Sequence, residues 1–486
     1  MNEIEAVNKH PHSVQELQLL QVLKGAKDTA FGQQHHFADI HSIDIFQQRV
    51  PLQHYEDISP YIERMMAGEP NVLCAADIKW FAKSSGTTAA KSKFIPVSQE
   101  MLDICHYRGI KDVLTFYMNA FPKSKILSGK GLTLGGSHQV SPLSSNIFCG
   151  DLSAILIENT PFVGSFIRSP NKEVALIPNF EEKIARIAQE TVSENIVQFA
   201  GVPSWNLVLM KYILDYTHKE NLLQVWPHLE LFIHGGISFV PYREQYQRII
   251  PSKKMHYMET YNASEGFFAL QNDLNDEGML LMLDYGIFYE FVPMSVFGTP
   301  QAQAIPLADV QTGVNYAMLI TTMDGLFRYV IGDTVEFTSL SPYKIKITGR
   351  TQHFINVFGE ELMVHNADSA LREACRAAGG SVEEYTVAPV FMSVGSKGRH
   401  EWLIEFESQP ADIQRFAQEL DQALCRVNSD YEAKRAAGST LDTPLVRTLP
   451  RGTFYQWMTR RGKLGGQNKV PRLYNTREYA EQLTKL

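Results

Sequence analysis

Eleven residues, Lys83-Ser84-Ser85-Gly86-Thr87-Thr88-Ala89-Ala90-Lys91-Ser92-Lys93, constrain this chain more than any other stretch. They combine five hydroxyl side chains, one glycine and three lysines. Short hydroxyl donors, a glycine that lets the backbone approach, and mobile cations suit a polyphosphate. Trp80-Phe81-Ala82 before the loop and Phe94-Ile95-Pro96-Val97 after it read as strand ends, so the loop is anchored on both sides. A Walker A loop needs a second glycine where Lys91 stands, which argues against a P-loop NTPase. Taken alone, a solvated Ser/Thr/Lys turn remains the competing reading.

The chain has 486 residues with 44% hydrophobic content, enough for two or three domains. Its 45 Lys+Arg against 53 Asp+Glu give a formal charge of -8. That balance argues against the basic face a nucleic-acid partner requires, while leaving room for a local cationic pocket. Cys74, Cys105, Cys149, Cys375 and Cys425 are scattered without a C-x-x-C pair, which fits a reduced compartment and small buried side chains. The start, Met1-Asn2-Glu3-Ile4-Glu5, is polar, and no apolar signal region follows it. No run approaches the roughly 18 apolar residues of a membrane span. A cytoplasmic protein without a membrane partner is therefore expected, and its oligomeric state stays open.

The apolar pattern predicts helices over residues 14–24, 102–121 and 180–198, with Ile196 to Ala200 and Leu229 to His234 as strands. The second of these strands is stopped by Gly235-Gly236. Between Gly278 and Phe337 the texture changes to short strands and turns, which predicts a small antiparallel sheet or barrel. Beyond Gly349-Arg350, a helix over Ala367 to Ala378, a strand over Glu401 to Phe406 and a helix over Ile413 to Val427 predict a compact α+β lid. The last helix places Phe416, Leu420 and Leu424 on one face. The expected fold is α/β: an N-terminal domain over 1–348 with mixed sheets and a small barrel, and a C-terminal α+β domain over 349–486.

Four further constellations carry chemistry. Tyr261-Asn262-Ala263-Ser264-Glu265-Gly266 reads as a strand entering a tight turn; Glu265 there suits Mg²⁺ beside a triphosphate, and Tyr261 suits stacking on a base. Gly332-Asp333 closes an apolar strand, where the carboxylate can accept two hydrogen bonds from a ribose diol. Arg350 sits at the presumed domain junction, within reach of a phosphate. Lys463 to Arg472 forms a loop with glycines on one side and a proline on the other, whose lysine can enter a cleft as a point charge. Each has an ordinary counterpart: a polar turn, a hairpin aspartate, a surface ion pair, an exposed basic loop. His10-Pro11-His12 and His35-His36 lack metal-ligand spacing, and Ser204 is not in a G-x-S-x-G elbow.

In this order the clusters make a set for activating a carboxylate with ATP, and together they resemble the GH3 acyl acid-amido synthetases of the adenylate-forming superfamily. Ser84-Ser85-Gly86-Thr87-Thr88 with Lys91 and Lys93-Phe94-Ile95-Pro96 is similar to the family's phosphate loop. Tyr261 to Glu265 resembles its adenine and Mg²⁺ motif, Tyr329 with Gly332-Asp333 its ribose motif, and Gly466-Gln467 with Lys469 and Pro471-Arg472 its late lysine motif. Val50-Pro51, Tyr55-Glu56-Asp57-Ile58 and Ile62-Glu63-Arg64 resemble its N-terminal signature, so the likeness runs roughly from Leu20 to Arg472. Two positions depart from the pattern: Ala90 replaces a usual glycine, and Gln352 stands where the wider superfamily places aspartate at the hinge.

The resemblance implies a luciferase-like two-domain architecture with a mobile C-terminal lid, and a two-step reaction. A carboxylate is adenylated by ATP with release of pyrophosphate, and an amine, expected to be an amino acid, then displaces AMP. It assigns Ser84, Ser85, Gly86, Thr87, Thr88 and Lys91 to the phosphates, and Tyr261 and Ser264 to the base and α-phosphate region. Glu265 goes to Mg²⁺, Asp333 to the ribose, Arg350 to the hinge or a phosphate, and Lys469 to the pentacovalent transition state. The partners are thus a small carboxylic acid and an amine, with ATP and Mg²⁺ as cofactors. An acyl-CoA or carrier-protein ligase and a non-catalytic nucleotide-binding protein are the alternatives. Phe162, Phe166, Trp205 and Phe239 are expected either in the core or on the wall of an acyl pocket.

Overall fold

The computed structural model describes residues 2–84, 93–135, 141–142, 146–161, 164, 166–237, 239–240, 242–351, 354–355, 360, 362–391, 397–436, 441–464 and 469–486. They divide into two compact units. The first comprises Met1–Gly236 and Ile249–Lys346; the second comprises Ile237–Arg248, Ile347–Leu464 and Asn468–Leu486. A short piece of the N-terminal half therefore belongs to the second unit.

In the first unit, β1 (Trp80–Ser84), β2 (Lys93–Val97), β4 (Ser141–Pro142) and β5 (Phe148–Gly150) make a four-stranded sheet in the order β2-β1-β5-β4. The larger sheet begins with β3 (Lys130–Thr133), β6 (Arg168–Ser169), β7 (Ile196–Gly201), β8 (Leu231–Gly235) and β9 (His256–Ala263). It continues with β10 (Gly266–Leu270), β11 (Met279–Leu281), β12 (Ile287–Pro293), β13 (Ile305–Pro306), β14 (Asn315–Thr322), β15 (Tyr329–Leu340) and β16 (Tyr343–Arg350). Their order is β13-β12-β14-β15-β16-β11-β10-β9-β8-β7-β3-β6. From β6 to β9 neighbouring strands run parallel; β9 then pairs antiparallel with β10, and β10 with β11.

The strands over 278–337 pair antiparallel, as expected of a small antiparallel sheet, and they are also continuous with the parallel strands in one twelve-stranded sheet. The join runs through β9 and β10. Phe267, Phe268, Ala269 and Leu270 are all buried, so β10 is covered on both faces. The helix expected to reach Gln198 stops at Thr191, where the Val192 N–H caps it, and β7 follows from Ile196. Among the described residues no helix is long and apolar enough to cross a membrane.

The second unit is built on a three-stranded sheet of β19 (Ser381–Val390), β20 (Arg399–Ser408) and β21 (Leu445–Leu449), preceded by the short pair β17 (Phe354–Ile355) and β18 (Leu362–Met363). The helices Val364–Ala378 and Ile413–Val427 share one core with it. Phe416, Leu420 and Leu424 are buried in that core beside Tyr385 and Trp402, as their helical spacing predicts. The Tyr385 and Trp402 rings stack at 5.7 Å.

One buried ion pair fastens the N-terminal segment of the first unit to its sheet. Arg328 follows the turn between β14 and β15 and adopts a left-handed backbone (φ 46), uncommon outside glycine. Its side chain is 7% exposed and that of its partner Glu290, on β12, is 1%. The guanidinium donates from Nε and Nη2 to the Glu290 carboxylate, at 3.1 and 2.9 Å, and from Nη1 to the carbonyls of Gln47 (2.9 Å) and Val50 (2.7 Å). Gln47 adds its own bond to Glu290 at 2.9 Å. Every charge is thus met, which makes a buried pair tolerable. Replacing Arg328 by Met is expected to cost about 3–5 kcal/mol, because Glu290 would keep a buried charge without a partner. Urea denaturation of Arg328→Met, Glu290→Met and the double variant checks this: the double variant should lose less than the sum of the singles.

Candidate functional site

The β9–β10 hairpin places three of the expected residues, Tyr261, Ser264 and Glu265. Ala263 pairs with Gly266, leaving Ser264 and Glu265 as a two-residue turn. Ser264 is buried and Glu265 half-buried. β9 is the last of the parallel strands, so this turn lies at their carboxyl edge, where open α/β sheets present ligand-binding loops. Gly235 ends the neighbouring β8 on the same edge; a Cβ there would fall 2.3 Å from the Thr260 carbonyl oxygen, so only glycine allows the two strands this approach.

Tyr261 and Asp333 meet directly. The tyrosine hydroxyl donates to Asp333 Oδ2 at 2.6 Å, and both residues are buried. A hydroxyl–carboxylate bond of this length is charge-assisted and strong. The Tyr261 ring packs edge-on against Phe268 at 4.8 Å. Asp333 reaches this position through a bulge. The β14–β15 ladder passes from Leu319↔Val330 to Ala317↔Thr334, so Ile331, Gly332 and Asp333 oppose a single residue. Gly332 has φ +89, which a side chain would resist; the Gly-Asp pair is therefore a device that re-aims the carboxylate.

A helix supports the hairpin from behind. Gln99–Met101 runs through a π-helical turn, Leu102–Tyr107, into Arg108–Ala120. The Cys105 thiol accepts the Phe267 N–H at 3.1 Å, at the position where the β9–β10 register shifts. Burial pushes the Cys105 thiol up to about 12, so it stays protonated and neutral. His106 Nδ1 lies 3.0 Å from Asn262 Oδ1, one residue from Tyr261, and burial holds the imidazole down at about 4. At the start of this helix, the Ser98 N–H donates to Asp324 Oδ2 at 2.8 Å, and burial raises that carboxyl to about 6.

The two ends of the expected phosphate loop are antiparallel partners: Ser84 at the end of β1 pairs with Lys93 at the start of β2. Ser85, Gly86, Thr87, Thr88 and Lys91 lie outside the described residues, as do Ala90, Gly466, Gln467 and Gln352. Lys93 is bracketed by two aromatic rings, with Nζ 5.4 Å from the Tyr55 centroid and 5.9 Å from the Tyr329 centroid. The Tyr55 hydroxyl accepts the Phe94 N–H at 2.8 Å. Tyr329 follows Arg328, and Gln53 bridges to it in register, so the N-terminal signature, the loop exit and the Asp333 strand are tied together.

In the second unit, Arg350 ends β16 half-buried and Lys469 is exposed. Tyr261, Ser264, Glu265 and Asp333 are thus assembled within the first unit, with Ser84 and Lys93 at the base of the loop. Of the presumed acyl wall, Phe162 is outside the described residues and Phe166 is 63% exposed. Trp205 packs on Phe180 at 5.2 Å, and Phe239 is buried against Tyr246. The support given by Cys105, His106 and Arg328 had no sequence signal, because their partners lie far away along the chain; Tyr55 belongs to the N-terminal signature, but its contacts with Phe94 and Lys93 were not legible there.

The GH3 family N-terminal domain matches residues 1–255, the GH3 family central domain 280–350 and the GH3 family C-terminal domain 365–478. The chain belongs to the GH3 family. A probable indole-3-acetic acid-amido synthetase, GH3.1 of Arabidopsis thaliana, is 24% identical over 99% of this chain and 92% of its own length. The 4-substituted benzoates-glutamate ligase GH3.12 of the same plant is 21% identical over 88% of this chain and 87% of its own. Among solved structures, AtGH3.15 acyl acid amido synthetase in complex with 2,4-DB superposes with a TM-score of 0.80 at 16% identity, covering 97% of this chain and 93% of the other. That likeness is one of fold.

Two opposed titrations flank the hairpin support. Asp324 has a raised pKa, so its burial costs nothing below the unfolded value near 3.8 and the full amount above about 6. His106 has a lowered pKa, so its contribution is lost as pH falls from 6.5 towards 4. Between pH 4 and 6 the two slopes oppose each other. Asp324→Asn removes the first alone, and its stability relative to the parent should rise by about 2 kcal/mol between pH 4 and pH 6.5. Urea midpoints of both proteins across that range measure it.

Proposed function

We propose that the chain is an ATP-dependent acyl acid-amido synthetase, which adenylates a carboxylic acid with release of pyrophosphate and then joins the acyl group to an amino acid with release of AMP. The observation that carries this reading, beside family membership, is the buried Tyr261–Asp333 bond beneath the Ser264-Glu265 turn at the carboxyl edge of the parallel strands. Such a bond preorganises a carboxylate for a ribose diol before any nucleotide arrives. In this reading Ser84 to Thr88 and Lys91 hold the phosphates, Tyr261 and Ser264 line the base and α-phosphate region, and Arg350 serves the hinge or a phosphate.

The donor set also suits Mg²⁺. Among the described residues no three His, Cys, Asp or Glu side chains cluster as a metal cage, whereas Glu265 offers one half-buried carboxylate at the turn. That is the arrangement for a cation ligated chiefly by phosphate and water, which neutralises phosphate charge when bound. Lys469 stabilises charge on the α-phosphorus as it becomes five-coordinate. The residues over 349–486 act as the lid that carries it.

The relatives named above act on indole-3-acetic acid and on 4-substituted benzoates. An aromatic acid with an amino-acid acceptor is accordingly the proposed substrate pair. A panel of indole-3-acetic, benzoic, 4-hydroxybenzoic and phenoxyalkanoic acids, tested for pyrophosphate release with ATP and Mg²⁺ and then with each amino acid, should yield amides detectable by mass. A thioester with coenzyme A in place of an amide would assign the second half-reaction to a thiol. Lys469→Ala should cut pyrophosphate exchange by about 100-fold or more while ATP binding, measured by calorimetry, survives.

A further inference from the structure

The segment that follows Lys469 is held to the second unit by more bonds than a surface loop needs. The Pro471 carbonyl accepts the Thr386 hydroxyl at 2.6 Å, and the Arg472 carbonyl accepts the Val387 N–H at 2.8 Å. Val387 and Leu473 form an isolated parallel bridge, and the Tyr474 N–H donates to the Val387 carbonyl at 3.2 Å, so the segment is held alongside β19. The Arg472 side chain, 12% exposed, donates to Glu384, to the Tyr385 carbonyl at 3.3 Å and to the Tyr242 hydroxyl at 3.0 Å. Its guanidinium lies over the Tyr385 ring at 4.4 Å, and Tyr385 is fixed in turn by a 2.6 Å bond to Asp368.

Only Val470 and Pro471 lie between Lys469 and Arg472, and the chain there is stiff. Pro471 has a fixed φ, and Val470, preceding a proline and β-branched, is confined to extended conformations. Val470 also packs against the cluster that contains Trp457 and Tyr479. The direction in which Lys469 leaves the second unit is therefore set by the anchor. Buried ion pairs are seldom better for stability than apolar side chains of equal volume; what they supply is a single register.

We propose that Arg472 is the positioning residue for Lys469, a buried fork that aims the lysine for the adenylation step without touching the substrates. This rests on the role given to Lys469 above. An error of about 1 Å in a charged group costs on the order of 100-fold in rate, so loss of the fork should act on adenylation and spare what Lys469 does not serve.

The test compares Arg472→Ala, Thr386→Val and Lys469→Ala, using the acid of fastest turnover from the panel above. Arg472→Ala should lower the kcat of pyrophosphate exchange about 100-fold. The KM for ATP, and the rate of amide formation from the preformed acyl-adenylate, should stay within about threefold. Thr386→Val, which keeps the shape and removes one bond, should lower exchange several-fold in the same selective way and decides the matter if Arg472→Ala does not fold. Trypsin cleavage after Lys469, followed by mass spectrometry, should accelerate at least tenfold in both and stay constant elsewhere, since cleavage requires local release of the segment. Exchange unchanged in a folded Arg472→Ala, or an equal fall in exchange and in amide formation from the preformed acyl-adenylate, overturns the proposal. Wild-type exchange in Lys469→Ala would instead remove the role of Lys469 itself, a result that the trypsin comparison does not share.

Discussion

The Arg328–Glu290 fork is the constraint on which the first unit's site depends. It buries two charges and spends the remaining guanidinium donors on the carbonyls of Gln47 and Val50. Those carbonyls fix the segment that leads to Gln53, which pairs with Tyr329, and to Tyr55, which receives the Phe94 N–H and faces Lys93. One arginine in a strained backbone thereby holds the phosphate-loop exit and the strand of Asp333 in a common frame. Strain of this kind persists where surrounding bonds over-determine it, and here hydrogen bonds from Arg328 to Thr321, Glu290, Gln47 and Val50 do so.

The β9–β10 hairpin of the candidate site follows a second rule: its backbone irregularities are each met by a specific polar partner. The shift in β9–β10 register leaves the Phe267 N–H without a strand acceptor, and the Cys105 thiol takes it. The bulge in β15 delivers Asp333 to the Tyr261 hydroxyl. Burial moves the titrations of His106 and Asp324, on and beneath the same helical segment, in favour of their uncharged forms, with opposite dependence on pH. Their balance means that mild acidification changes the protonation of the support without a large net change in its stability.

Much of the architecture was legible along the chain. The helix over Ile413 to Val427 has the bounds its apolar spacing predicts, and β8 stops at the glycines that the sequence marks. The Tyr261 to Glu265 motif announces a strand and a tight turn, because a two-residue loop between apolar strands leaves its own local signature. The extent of the large sheet was not legible: that the antiparallel strands over 278–337 join the parallel ones through β11, β10 and β9 is a matter of pairing between distant segments. Nor was the direct bond between Tyr261 and Asp333, since nothing in either motif states which of its groups points at the other.

By itself the sequence determined which chemical groups are available and their order: a hydroxyl- and lysine-rich loop, an acidic turn, a Gly-Asp strand end, and a late lysine. These are local patterns of polarity and backbone freedom, and they survive inspection one segment at a time. Only the tertiary structure decided which groups meet, because bonds such as Arg328–Glu290, Cys105–Phe267 and Arg472–Glu384 join residues far apart in the chain. Burial removes the water that would otherwise satisfy those groups, so each must find its partner within the fold, and that requirement exists only once the layers have packed.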